Sequence, residues 1–112
     1  MAQAVNVTLT EDDETSRTFQ LTTGGTALNL SAAIVTAIVK ASPAVEDNAA
    51  SGVYTLTAGD GLAIVDAAAG TVRLDWPAAV TASPGWWFYK IRVTLAAQTE
   101  TAILGWIAIL DA

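Results

Sequence analysis

The residues in this chain best equipped to do something are aromatic. Trp76, Trp86, Phe88 and Trp106 are expected to lie partly outside the core, on the reading that their strand neighbours already supply an apolar opposite face. A terminal hairpin apolar on both faces has one face to spare for another molecule. Tryptophan is among the commonest anchors of protein interfaces, and exposed indoles also stack on sugars. The plainer alternative is that these rings cap or fill the core. We take the four as candidate partner-binding residues.

The carboxylates offer less. Glu11-Asp12-Asp13-Glu14 could attract a hard cation such as calcium, but it lacks the alternating acidic spacing and the glycine of a dedicated loop. It reads as a solvated charge run, and no metal is expected. Asp60, Asp66 and Asp75 could supply the carboxylate pair of a glycosidase. However, Asp60 sits between glycines and Asp66 opens a small-residue connection, which are ordinary turn roles. Asp75 reads as an outward strand residue.

Asn6-Val7-Thr8 and Asn29-Leu30-Ser31 match the glycosylation triplet. With no secretory signal in sight, the matches carry no weight. Gly24-Gly25 and Gly59-Asp60-Gly61 lack the lysine and the helix of a phosphate loop and read as turns. Histidine and cysteine are absent. The usual general base, the commonest metal ligand and all thiolate chemistry go with them. No catalytic residue, cofactor or enzymatic activity is expected.

The formal charge of −6, with five Lys and Arg, argues against a phosphate-binding face and against docking on anionic membranes. The first ten residues lack the basic and apolar regions of a signal peptide, and the longest apolar run, 102–110, is too short to span a bilayer. The expectation is a soluble protein made in the cytoplasm. About one residue in five is Ala, and charged residues make up 14%. Such a surface, rich in Thr, Ser and Ala, suits broad contact with other proteins. A length of 112 residues suits one domain, 1–112.

The elements that must position the rings are strands. Val5, Val7 and Leu9 alternate with polar residues, as do Arg17, Phe19 and Leu21. Residues 34–40 are β-branched enough for a more central strand. Residues 42–52 read as a loop. Tyr54 and Leu56 form a short strand closed by the turn at 59–61, and Leu62 and Ile64 share a face of the next. After the connection 66–70, Val72, Leu74 and Trp76 alternate with Arg73 and Asp75. Residues 77–82 allow one helical turn behind Pro77.

In 86–95 the odd positions, Trp87 to Leu95, share one face, and Trp86, Phe88, Lys90, Arg92 and Thr94 share the other. Residues 96–99 make a hairpin into an apolar strand over 101–110. The result is an all-β chain of about seven to nine strands, predicted to be an antiparallel β-sandwich.

From Gly61 onward the order of features resembles a known group. Asp66-Ala67-Ala68-Ala69-Gly70-Thr71-Val72 is followed by Pro84-Gly85, then by Tyr89 with Ile91 and Val93, then by Gly105 with Ile107 and Ile109. This succession is similar to the immunoglobulin-like domain that opens phage baseplate upper proteins, and to related short tail- or head-associated proteins. Arg17-Thr18-Phe19 and Leu28-Asn29-Leu30-Ser31 extend the likeness forward more loosely. The run Trp86-Trp87-Phe88-Tyr89 is denser in rings than that pattern.

The resemblance implies an immunoglobulin-like sandwich in a bacteriophage virion: tail, baseplate, collar or capsid decoration. Its partners would be other phage structural proteins and further copies of itself, with no nucleic acid and no membrane. The alternative from the exposed rings is a glycan-binding β-sandwich module.

Overall fold

The computed structural model describes residues 3–10, 16–23, 26–41, 53–82, 85–95 and 98–110. Among them the strands are β1 (Gln3–Ala4), β2 (Val7–Thr10), β3 (Ser16–Gln20), β4 (Thr22–Thr23), β5 (Thr26–Ala27) and β6 (Ile34–Lys40). They continue with β7 (Val53–Ala58), β8 (Gly61–Asp66), β9 (Thr71–Asp75), β10 (Gly85–Leu95) and β11 (Gln98–Leu110). A single helical turn, α1 (Ala78–Thr81), follows Pro77 where the sequence allows one.

Nine strands make one sheet in the order β1-β11-β10-β6-β7-β8-β9-β3, with β2 also on β11, and the sheet curls into a half-barrel. The pair β4-β5 stands apart from it. The chain is all-β as expected, but the sheet is mixed and not antiparallel throughout. β1 and β2 both run parallel to β11, and β7 meets β8 in parallel over two residue pairs. Period-two patterning reports which face a residue takes and carries no information on strand direction. That is why the antiparallel expectation failed at these three places.

Alternation places the core correctly. Tyr89, Ile91 and Val93 point inward from β10, as do Val72 and Leu74 from β9, and Ile103, Ile107 and Ile109 from β11. β6 is the central strand that its β-branched run predicts, flanked by β10 and β7, with five of its seven residues buried. Phe19, from the far end of the strand order, lies 5.7 Å from the Tyr89 ring, so the curled sheet closes over its own apolar face. The open seam of the half-barrel is a groove of about 350 Å³ between Val5 and Ile103 on one lip and Arg17, Phe19 and Gln20 on the other.

Two stitches hold the ends of this arrangement. At the first, the backbone between β1 and β2 runs alongside β11, in the one parallel register that both strands keep with it. The Val5 N–H donates to the Leu104 carbonyl at 2.9 Å, and the Tyr89 hydroxyl donates to the Val5 carbonyl at 2.6 Å. At the second, the connection from β8 to β9 gathers Leu21 and Leu30. Asp66 Oδ1 accepts from the Ala69 N–H at 3.2 Å, Leu30 N–H donates to the Ala67 carbonyl at 2.8 Å, and Leu21 N–H donates to the Gly70 carbonyl at 2.7 Å. The Asp-Ala-Ala-Ala-Gly run is thus a self-capped turn that anchors a distant segment.

Burial pushes the Tyr89 phenol well above the usual tyrosine range, with Arg17 pulling weakly the other way. The unfolded chain releases this proton near pH ~10, while the folded chain keeps it. The stability from this group is therefore complete below pH ~10 and declines as the pH rises beyond it. Tyr89→Phe should flatten the alkaline fall in stability seen by denaturant titration. An unchanged slope would contradict the burial of the phenol.

Candidate partner-binding face

Strand β10 lies between β11 and β6, and its even positions face outward. The register sets Phe88 across from Trp106 and Trp86 across from Ala108. Trp86 is 65% exposed, Trp106 39%, and Phe88 half-buried beneath them. The Trp86 and Trp106 rings meet edge-to-face with centroids 6.3 Å apart, and Phe88 meets Trp106 likewise at 5.8 Å. These pairings hold the rings in one arrangement. Lys40 Nζ lies 5.8 Å from the Phe88 centroid, a cation–π contact on the β6 side.

Beside the indoles runs a groove of about 510 Å³ lined by Asn6, Val7, Thr8, Trp86, Trp106 and Ala108. Ala108 keeps its floor low between Thr8 and Trp86. Asn6 fixes one wall, its Oδ1 accepting from the Trp106 backbone N–H at 3.0 Å. Three of the four aromatic residues singled out from sequence are therefore one cluster. No family model matches this chain, and neither does any curated protein.

Trp76 is the exception among the four. It is 3% exposed and packs edge-to-face on Phe19 at 6.3 Å and on Tyr89 at 5.4 Å. Its place after Val72 and Leu74 in the alternation sends it inward, and the weight of three mutually packed rings keeps it there. Trp76 is a core residue and not part of the surface.

Several participants escaped the sequence reading. Asn6, Thr8 and Ala108 are small or polar and become lining only through the parallel pairing of β2 with β11. Leu110 and Ile34, both exposed, share the outer face with the rings. Their even positions could have disclosed this had the alternation been followed to the strand ends.

The carboxylates behave as turn and surface residues. Asp60 sits in the turn that joins β7 to β8, where its backbone bonds Thr57 both ways at 2.8 and 3.0 Å. Asp66 caps its own connection, and Asp75 Oδ1 lies 3.3 Å from Arg73 Nε. Asp66 pairs with Thr71, four residues along β9 from Asp75. At roughly 3.3 Å per residue, that spacing exceeds the roughly 5–9.5 Å of a glycosidase pair. The run 11–14, the turn at 24–25 and the loop at 42–52 lie outside the described residues. Among the described residues, no three His, Cys, Asp or Glu gather as a metal site, and no helix is long and apolar enough to cross a membrane.

Proposed function

We propose that this chain is a structural component of a bacteriophage particle, acting by protein–protein assembly through the face that carries Trp86, Phe88 and Trp106. The observation that carries the reading is a pair of exposed, mutually packed indoles on a sheet face where Leu110, two residues beyond the Ala108 that pairs with Trp86, is also exposed. Apolar area left in water at this density is the mark of an interaction surface.

The phage assignment rests on the resemblance of the 61–109 segment, whose Asp66–Gly70 connection is a defined anchoring turn. The location we propose is the virion. The fold we propose is an immunoglobulin-like sandwich of two facing layers, β2-β11-β10-β6-β7 and β8-β9-β3. Two features support that reading. Phe19 of one layer packs on Tyr89 of the other, and the link between layers is only the two-residue pairing of β7 with β8.

Assembly is expected to respond to these rings more than folding does. Trp86→Ala removes a side chain that is mostly in water, so its folding cost should stay within about 0.5 kcal/mol. As an interface anchor it should cost about 2 kcal/mol or more in association, roughly a thirty-fold loss. Trp106→Ala should follow it, with some additional folding cost. Light scattering across concentration and thermal melting measure the two effects. Equal losses in both would refute the interface.

The groove also keeps a glycan reading alive, because its six lining residues carry no charge and offer indoles, an amide and a hydroxyl. If tryptophan fluorescence shifts saturably with polysaccharide while assembly ignores Trp86→Ala, the function moves to that reading.

A further inference from the structure

The seam of the half-barrel is lined by residues that the aromatic groove does not use. It lies where β3 ends the sheet: β9 takes one edge of β3, and among the described residues no strand takes the other. The phase of the ladder shows what that second edge offers. Leu21 N–H donates to the Gly70 carbonyl, so in the alternating antiparallel pattern Phe19 and Arg17 also turn their backbone groups toward β9. Thr18 and Gln20 then turn theirs away from β9, and both line the seam. An edge of this kind is a template for one more strand.

The side chains narrow which strand fits. Arg17 shares the inward side of β3 with Phe19 and Leu21, which are buried, yet it is exposed at the seam and forms no ion pair among the described residues. The rest of the lining carries no charge. A charge turned inward on an edge strand repels any strand that cannot answer it. The strands at the two ends of this sheet, β1 with β2 and β3 itself, hold no acid, so the free edge of a second copy brings no answer.

We propose that the seam receives an extended segment of a partner protein, which adds to β3 as a strand and sets a carboxylate against Arg17 and an apolar side chain against Phe19 and Ile103. Main-chain bonds to Thr18 and Gln20 supply the affinity, and the alternate side chains supply the choice. The partner strand is therefore uncharged but for one acidic residue, spaced from one apolar residue as Arg17 is from Phe19.

The test titrates the isotope-labelled whole chain with the synthetic peptide acetyl-Ser-Thr-Ile-Thr-Glu-Thr-Ser-amide, which carries that spacing, and follows backbone amides by NMR. Binding at about 1 mM or tighter is expected, with shifted resonances and slowed exchange at Thr18 and Gln20. Replacing the peptide's Glu by Lys should weaken binding roughly ten-fold or more, and Arg17→Glu should reverse that preference. Thr18→Pro suits an edge position whose N–H faces out, and it should abolish binding in a folded protein. If that variant does not fold, the two peptides on wild type decide the matter. Trp86→Ala should leave the titration unchanged, which separates this surface from the aromatic one.

No binding by about 10 mM peptide, or equal binding of the Glu and Lys peptides, would overturn the proposal. A titration lost in Trp86→Ala would place the peptide on the aromatic face and overturn it as well. So would protection of Thr18 and Gln20 that rises with protein concentration alone, because a second copy would then fill the seam.

Discussion

Gly105→Ala should be the most damaging single substitution in this protein. A Cβ on Gly105 would stand 1.9 Å from the Val5 carbonyl oxygen and 2.7 Å from its carbon, with Asn6 Oδ1 at 3.1 Å. The first two are backbone atoms, held by the Leu104 and Tyr89 hydrogen bonds, so they cannot swing aside as a side chain would. Either β1 and β2 lift off β11 or the strand bends. Lifting off would cost the parallel pairing, the Tyr89 hydroxyl its acceptor, and the groove the Asn6 wall.

Overpacking combined with those losses is expected to cost about 3–5 kcal/mol, a fall of about 10–30 °C in Tm. Melting within about 3 °C of wild type would mean that β1 and β2 are not seated on β11.

The second large effect is expected at Gly70. Its φ of +72° lies where an L-residue costs about 1–2 kcal/mol. Space is short as well: a Cβ would lie 2.6 Å from the Leu21 carbonyl oxygen and 2.7 Å from that of Leu28. Gly70→Ala should therefore lose about 3–4 kcal/mol by denaturant unfolding. Gly70→Asn, which tolerates the backbone angle better, should recover little, because the carbonyls still block its Cβ. Substantial recovery with Asn would mean that the angle alone selects glycine here.

These two sites show what the sequence could and could not tell. The Asp66-to-Gly70 run reads as a turn from residue types alone, because Asp and Gly have turn roles wherever they stand. That it clamps Leu21 and Leu30 depends on contacts between segments far apart in the chain, which no local pattern encodes. Gly105 within an apolar strand signals a close approach, but nothing in the sequence names Val5 as the neighbour, a hundred residues away.

The candidate face divides the same way. Alternation in β10 separates Trp86 and Phe88 from Trp87 and Tyr89, and β11 delivers Trp106 opposite Phe88. Trp76 had the same residue type, and its parity with Val72 and Leu74 already pointed inward. Its position in the alternation, and not its ring type, decides which side of the sheet it takes. The polar wall of Asn6 and Thr8 arises from a parallel pairing, which period-two patterning does not encode.

The seat of β1 and β2 on β11 also bears on how the protein is made. Gln3 pairs with Ile103 and Val7 with Ile107. A ribosome adding about 5–20 residues per second releases the first of each pair about 5–20 s before the second. During that interval β2 has its apolar Val7 but no strand to join, whereas β10 can pair with β6 as soon as it emerges. Nascent chains close to one another, as on a shared message, could then offer a completed β11 to a neighbour's waiting β2. Production at low translational density should favour each chain closing on itself.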